Sequence, residues 1–529
     1  MKAIYAAGAL LIPTTASADH AVRLDPDGVY PGYSVQVTPD GSRAVFMGNA
    51  AGVEGTAIYS VPLANPAGAV RLNTVPRSDA PWHFVVSPDS RSVAFQSMEN
   101  PPEGTLVINT FGVPADGSTP AALLHSAPVE DDDPSQFPFG FSGDSTRVLF
   151  DGETDRSAQN LYSRPVDGSL PAVRLSHAVT DPRSHASFRP AGGRVLYLVP
   201  DGLYTVPNDG SAAPVPVATG ANIDVLSVGV TPDNGRVVFD TFDAQRTVSV
   251  YGAPSDGSAP PVLLYRSEGR PWEPNLPLSD PQITPDGSRV LMVADYGTAL
   301  VSAPVDGSAP ARVLDTPAGI GRPVITPDGS VAVYNASRSP DLLPELYSVA
   351  TDGSGPPVKL AGPFPRDLML RYSEVPSSTG RVAYWLDNSW GAREFYTVPL
   401  DGSSAPTRID LPAEYDDGMN HAVISPDGRF VLFQAGDNTD EDLILERGAL
   451  FMVPVEGGTP VRLSDPVPGG DSYIRGYWFV PGTSSLLYLV EGSRDGALFS
   501  DLMLVTVPEP HAAGWLAVAL ALPLLGRRR

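Results

Sequence analysis

Apolar and polar residues alternate in short runs along the middle of this chain. Turn residues interrupt the runs at regular intervals, the pattern of many short strands. A Pro-Asp-Gly turn followed by an apolar strand reads Pro39-Asp40-Gly41-Ser42-Arg43-Ala44-Val45-Phe46. It returns at Pro88-Asp89-Ser90, Pro190-Ala191-Gly192, Pro232-Asp233-Asn234, Pro285-Asp286-Gly287, Pro327-Asp328-Gly329 and Pro426-Asp427-Gly428. Degenerate copies start at Gly143, Ser377 and Pro481. Seven residues after each start stands a large apolar side chain: Phe46, Phe95, Phe150, Tyr197, Phe239, Met292, Tyr334, Tyr384, Phe433 and Tyr488. The ten units lie roughly 42 to 55 residues apart, room for four strands and their turns in each.

Every unit has the same internal order. Strand A ends before the turn and carries an inward apolar residue two positions ahead of it: Val37, Val86, Phe141, Phe188, Val230, Ile283, Ile325, Val375, Ile424 and Phe479. Strand B follows the turn. Strand C is of the type Tyr204-Thr205-Val206-Pro207 or Tyr396-Thr397-Val398-Pro399. An Asp-Gly pair closes C onto D at Asp116, Asp167, Asp209, Asp256, Asp306, Asp352 and Asp401, because glycine supplies the positive φ of a tight hairpin. Strand D is short, as in Val461-Arg462-Leu463, and suits a sheet edge. The tenth unit stops after its strand C at residues 502–507, while a spare D-like segment, Ala21-Val22-Arg23-Leu24, stands near the N-terminus. Pairing the two completes the last unit, hides an edge and closes a ring.

The Pro-Asp-Gly turn and the Asp-Gly hairpin together resemble the TolB-like β-propeller family over about residues 21–507. The resemblance implies an all-β fold, a β-propeller of about ten four-stranded blades with the A strands around a central channel. Propellers typically have 4 to 8 blades, so ten repeats mean either one wide ring or two smaller ones. A one-strand shift closes either. No linker separates any two repeats, which favours one closed assembly.

At 529 residues the chain is too long for one ordinary core, as a repeat array requires. It has no cysteine, which excludes disulfides, thiolate metal sites and a cysteine nucleophile. A formal net charge of -25 makes nucleic acid an unfavourable partner, since phosphate binding needs a basic face. The acidity reads first as solubility and second as an affinity for cations.

The two ends read as addresses rather than fold. Lys2, the apolar run of residues 3–12 and the small residues Ala16-Ser17-Ala18 before Asp19 form a signal peptide for Sec export over 1–18. Residues 19–507 are the propeller repeats. Residues 508–529 hold Pro508-Glu509-Pro510, an apolar stretch and Arg527-Arg528-Arg529. This three-part order resembles the PEP-CTERM sorting signal of Gram-negative bacteria, which implies an exosortase-type sorting protease as a partner and transient membrane contact through the tail. The arginines would hold its end on the cytoplasmic side. The expected destination is the cell surface, outer envelope or extracellular matrix.

Chemistry is sparse. There is no Gly-x-Ser-x-Gly elbow, no phosphate-binding glycine loop and no His-Glu-x-x-His, and no hydrolase domain follows the repeats. The turn aspartates read as structural, because aspartate there bonds the backbone two residues on. One column gathers varied chemistry. Five residues before each turn stand Ser34, His83, Pro138, His185, Ser227, Asp280, Arg322, Tyr372, His421 and Gly476. At the start of strand A this column should lie near a channel mouth. His83, His185, Asp280, Arg322, Tyr372 and His421 are therefore the candidate ligand-binding residues. Oligogalacturonate lyases resemble TolB-like propellers and use channel histidines for metal, but their motif has no match here. Two acidic loops are candidate calcium sites: Asp131-Asp132-Asp133, and Asp437, Asp440 and Asp442 between strands B and C of the ninth unit. The latter lack the glycine and spacing of an EF-hand, and a solvated loop is the plainer reading. No catalytic residue and no certain cofactor emerges. The chain reads as a non-catalytic envelope or matrix propeller that binds a protein, peptide or glycan; the rival reading is a polysaccharide lyase or hydrolase with its site in the channel.

Overall fold

The computed structural model describes residues 21–507 apart from 51–54, 74–78, 100–105, 130–137, 152–159, 178–186, 200, 220–223, 243–246, 268–280, 296, 339–342, 366–367, 373–379, 389–392, 411–418, 438–445, 465–471 and 495–496. The described residues form ten antiparallel sheets, here called blades. Blade 1 spans 29–71, blade 2 79–129, blade 3 139–174, blade 4 187–219 and blade 5 224–266. Blade 6 spans 282–315, blade 7 319–361, blade 8 368–409, blade 9 419–462, and blade 10 472–506 together with Val22–Arg23. Each has the order A-B-C-D, and in blade 7 strand A is broken into two pieces.

Strand B is the spine of each blade. Its ten large residues after the turn are all buried, none more than 2% exposed. Most stack on an aromatic ring of strand C, as Phe46 does on Tyr59 at 5.6 Å and Tyr384 on Tyr396 at 5.2 Å. Such cross-strand pairs stabilise a sheet beyond the area they bury.

The cores lie between blades, not within them. Val45 and Ile58 of blade 1 pack against Phe84 and Phe95 of blade 2. On its other face blade 1 sets Phe46 and Tyr59 against Leu487 and Leu489 of blade 10. Eight further cores join the remaining consecutive pairs. The chain therefore forms one ring of ten blades, a ten-bladed β-propeller, and not two smaller rings.

The N-terminal segment closes the ring. Val22 and Arg23 pair antiparallel with Leu504 and Met503. Leu24 N–H donates to the Leu502 carbonyl at 2.8 Å. The Asp25 carboxylate accepts the Leu502 N–H at 2.8 Å, and Arg23 Nε donates to it at 2.8 Å. The same chemistry ends other D strands. Asn73, Ser176 and Ser464 side chains accept the strand-C N–H groups of Ile58, Leu161 and Leu450. Residues 22–25 are thus a D strand in hydrogen bonding as well as in sequence.

The turns obey local chemistry. Asp40 Oδ1 accepts the Ser42 N–H at 2.9 Å and the Thr38 hydroxyl at 2.7 Å. Gly41 sits at φ +69°, and a Cβ there would stand 2.4 Å from the Pro481 carbonyl oxygen of blade 10. Only glycine suits both demands. The strand-A residues expected to point inward depart from that expectation. Phe141 and Ile424 are buried, but Val37, Val86, Phe188, Val230, Ile283, Ile325 and Phe479 are half-buried. Strand A is the innermost strand and has no further strand beyond it. Val375 lies outside the described residues.

Deleting residues 19–25 leaves the long strand Ala497–Thr506 as an open edge. The expected outcome is a lower thermal midpoint and concentration-dependent association in size-exclusion chromatography. An unchanged midpoint with a monomeric profile contradicts the closure. The single change Asp25→Ala should cost about 1–3 kcal/mol, because it removes the acceptor of the buried Leu502 N–H and of Arg23 Nε.

Candidate functional site

Strand A lines the inside of the ring, where neighbouring blades touch through it. Gln36 of blade 1 bridges to blade 2, donating to the Phe84 carbonyl at 3.0 Å and accepting the Val86 N–H at 3.0 Å. The varied column expected at the start of strand A lies elsewhere in several blades. There it falls inside the strand, where the ladder breaks. In blade 1 the register jumps between Pro31 and Val35, a gap that holds Ser34. It shifts between Pro81 and His83 in blade 2, Val225 and Ser227 in blade 5, and Ile474 and Gly476 in blade 10. In blade 9 it shifts between Asn420 and Val423, a gap that holds His421. In blade 7 Arg322 sits between the two strand pieces Gly319–Ile320 and Val324–Ile325, and it is exposed. A bulge re-aims side chains and bends the strand. These positions belong to different blades, so they form a belt around the inner wall rather than one point. Tyr372 ends the described strand Leu368–Tyr372. His185 and Asp280 lie outside the described residues.

Blade 2 shows what such a bulge presents. The His83 ring is 5.7 Å from Trp82 and meets Phe139 of blade 3 edge-on at 5.1 Å. His83 keeps an exposed side. Burial against those rings holds its imidazole below the ordinary histidine value of 6.5. Gln96 lies opposite His83 on strand B. Its Oε1 and the indole Nε1 of Trp82 are buried without a hydrogen-bond partner. Open valences of this kind call for an ordered water or a ligand.

Sequence reasoning missed a second column, directly behind the first. The strand-B residue after the buried aromatic is polar in blades 2, 3, 5, 7 and 9: Gln96, Asp151, Asp240, Asn335 and Gln434. Asp240 shows its use, since its carboxylate accepts both the N–H and the hydroxyl of Ser227 at 2.7 and 2.6 Å. The signal was legible as a polar residue inside an otherwise apolar strand.

A third repeated device spans blade interfaces. Strand B opens with an arginine in blades 1, 3, 4, 5, 6 and 8: Arg43, Arg147, Arg194, Arg236, Arg289 and Arg381. Nε of Arg43, Arg147, Arg194 and Arg289 donates to Ser60, Ser163, Thr205 and Ser302 on strand C at 2.7 to 3.1 Å. Arg381 reaches Thr397 Oγ1 through Nη2 at 3.1 Å. Burial pulls the basicity of the Arg43, Arg147, Arg289 and Arg381 guanidiniums down, and the acidic hairpin residue of the next blade opposes it. Asp116 does so for Arg43, Asp209 for Arg147, Asp352 for Arg289 and Glu456 for Arg381. The hairpin aspartates are held below the usual carboxylate range by the serine two residues on, as Asp116 is by the Ser118 hydroxyl and N–H. The turn aspartates are structural, and so are these.

One further polar group stands out. His177 Nδ1 lies 2.9 Å from the Tyr197 hydroxyl, and its Nε2 lies 3.4 Å from Asp201. Tyr204 donates to the same carboxylate at 2.9 Å. Burial pushes the Tyr197 hydroxyl up to about 12. The imidazole is thus placed between a buried phenol and an exposed carboxylate. Of the calcium candidates, Asp437 ends a described strand, Glu446 is its register partner, and Asp440, Asp442 and Asp131 to Asp133 lie outside the described residues. Among the described residues no group of three acidic or histidine side chains is placed to hold a metal ion.

No family model matches the chain, and no curated protein matches it. Solved structures do. A eukaryotic initiation factor is 11% identical over 84% of this chain and 95% of its own, with a TM-score of 0.46. An oligogalacturonate lyase in complex with manganese is 16% identical over 64% and 94%, with a TM-score of 0.32. A putative TolB from Agrobacterium tumefaciens is 19% identical over 44% and 80%, with a TM-score of 0.25. Such likenesses bear on the fold alone.

The depressed basicity of His83 is measurable. Its neutral form is the one the fold favours, so its contribution to stability is present above about pH 6.5 and is lost as pH falls through the lower folded value. An NMR titration of the His83 imidazole should give a midpoint below 6.5; a midpoint at or above it removes the burial argument.

Proposed function

We propose that this chain is an exported, non-catalytic binding propeller that takes a glycan or a peptide segment on the inner wall of the ring. The observation that supports the reading most is the bulge of blade 2. There Trp82, His83 and Phe139 gather aromatic faces beside the unpartnered Trp82 Nε1 and Gln96 Oε1. Aromatic faces with a few convergent polar groups suit sugar rings and peptide planes. Around the belt the chemistry changes from blade to blade, through Arg322, Tyr372 and His421, while the supporting strands stay alike. His185 and Asp280 complete the proposed set from the sequence column. Recognition is thus assigned to variable residues on a rigid frame.

Export fits the two end segments. Sec machinery would remove residues 1–18, and an exosortase-type protease would act near Pro508, Glu509 and Pro510 during a transient membrane contact of the tail. The mature chain would then work at the surface or in the matrix of a Gram-negative bacterium. Its acidity favours solubility there and opposes nucleic-acid binding.

A glycan and peptide array on the mature protein identifies the ligand. Trp82→Phe and His83→Ala should each weaken binding about tenfold while the fold survives, since His83 is exposed and the phenyl ring retains the packing of the indole. Unaltered binding in both variants overturns the inner-wall reading, and ligand cleavage on the array replaces it with the lyase or hydrolase reading. Intact mass of protein recovered from an exporting host should run from Asp19 to near Pro510. Recovery of a chain still ending at Arg529 contradicts the processing.

A further inference from the structure

Blade 7 breaks the interface pattern in one informative place. Where six blades open strand B with an arginine, blade 7 has Val331. The receiving groups remain. Val331 pairs with Ala350, so the residue two positions earlier on strand C is Ser348, the counterpart of Ser60, Ser163, Thr205, Ser302 and Thr397. Ser348 donates to the Leu400 carbonyl of blade 8 at 2.5 Å. In blade 3 Ser163 donates likewise to Asn208 at 2.5 Å while accepting Arg147 Nε at 2.9 Å. The next-blade carboxylate is also in place, as Asp401. Blade 7 thus keeps a hydroxyl acceptor and an acidic hairpin around a position from which the guanidinium is missing.

The other blades without the arginine do not share this. Blade 2 has Ser92 with Gly112 at the receiving position, which offers no hydroxyl. Blades 9 and 10 offer Met452 and Leu504, with no hydroxyl. In blade 7 the vacated space opens into a cavity of about 750 Å³ that includes Val331, Ser348, Leu400 and Asp401 in its lining. Asp328, Glu456 and Arg381 also line it, so acids outnumber bases there.

We propose that the cleft between blades 7 and 8 binds an arginine side chain presented by a peptide or protein partner. The guanidinium would take the place that Arg147 and Arg289 fill in their own interfaces, donating to Ser348 Oγ and neutralising Asp401. The cavity is much larger than a guanidinium, which leaves room for the flanking peptide along Ser354, Gly355 and Pro356. Lysine lacks the planar fork that this geometry receives. The site lies at a blade interface, and the proposal stands independently of the inner-wall reading.

Calorimetric titration of the propeller with an acetylated, amidated Ser-Arg-Ser peptide tests it, against the same peptide carrying lysine or citrulline. The arginine peptide should bind saturably, lysine about tenfold more weakly, and citrulline not at all. Val331→Arg supplies the guanidinium from within; it should abolish peptide binding and leave the thermal midpoint unchanged or higher. Ser348→Ala and Asp401→Asn should weaken binding with the fold intact, because asparagine still accepts the Ser403 N–H that Asp401 Oδ1 accepts at 2.9 Å. These two decide the question if Val331→Arg fails to fold. No binding of the arginine peptide, equal binding of citrulline, or full binding by Val331→Arg or by the Ser348→Ala and Asp401→Asn pair overturns the proposal.

Discussion

Every blade of this protein has two apolar faces, and neither can be buried within the blade itself. Phe46 and Val45 are neighbours on one strand, yet they serve opposite interfaces, one toward blade 10 and one toward blade 2. The hydrophobic term therefore acts between blades, and a row of ten would leave two faces bare at its ends. Closing the ring removes both. This is why so short a segment as residues 22–25 matters: it supplies the last D strand and joins the two chain ends at one seam. Arg23 and Asp25 strengthen that seam where it is half-exposed, with Asp501 also in reach of Arg23 at 3.1 Å.

The acidity of the chain is handled locally. Aspartates recur at the turns, where each accepts the backbone N–H two residues on. Where the preceding blade carries the arginine, the hairpin acid does a second task by facing its guanidinium. A repeated interface made of one arginine, one hydroxyl and one acid is directional. Where it is present, it links a blade to the next and not to the previous one. Such a link adds registry to the non-directional packing of the cores, and a missing member leaves a defined vacancy rather than a random void.

The inner strands show the opposite logic. Strand A is bulged or broken at one equivalent position in six blades, and the outer C–D ladder shifts register in five. The bulges interrupt the ladder, which costs hydrogen bonds unless something replaces them. In blade 5 the Asp240 carboxylate does so for Ser227. In blade 2 the Gln96 amide donates to Thr110 at 3.3 Å and leaves its carbonyl open. The irregular inner strands concentrate chemical variety where ten strands converge.

Much of this was legible in the chain. Periodic turns, the strand-B aromatics and the Asp-Gly hairpins fix local conformation, because each acts through residues close in sequence: a positive φ at Gly41, an Asx bond from Asp40, alternation along a strand. They determined blade number, strand order and the identity of the closing strand. They could not count rings, since a one-strand shift closes five blades as readily as ten; the packing of Leu487 on Phe46, far apart in sequence, decided that. Nor could they place the variable column, because a bulge at Pro81 or Asn420 follows from how strand A meets its partner and neighbours rather than from its own residues. The open interface beside Val331 is of the same kind. The valine and Ser348 are visible in the sequence, but only the assembled interface shows that blade 8 brings its acidic hairpin to a position where the preceding blade has no guanidinium to meet it.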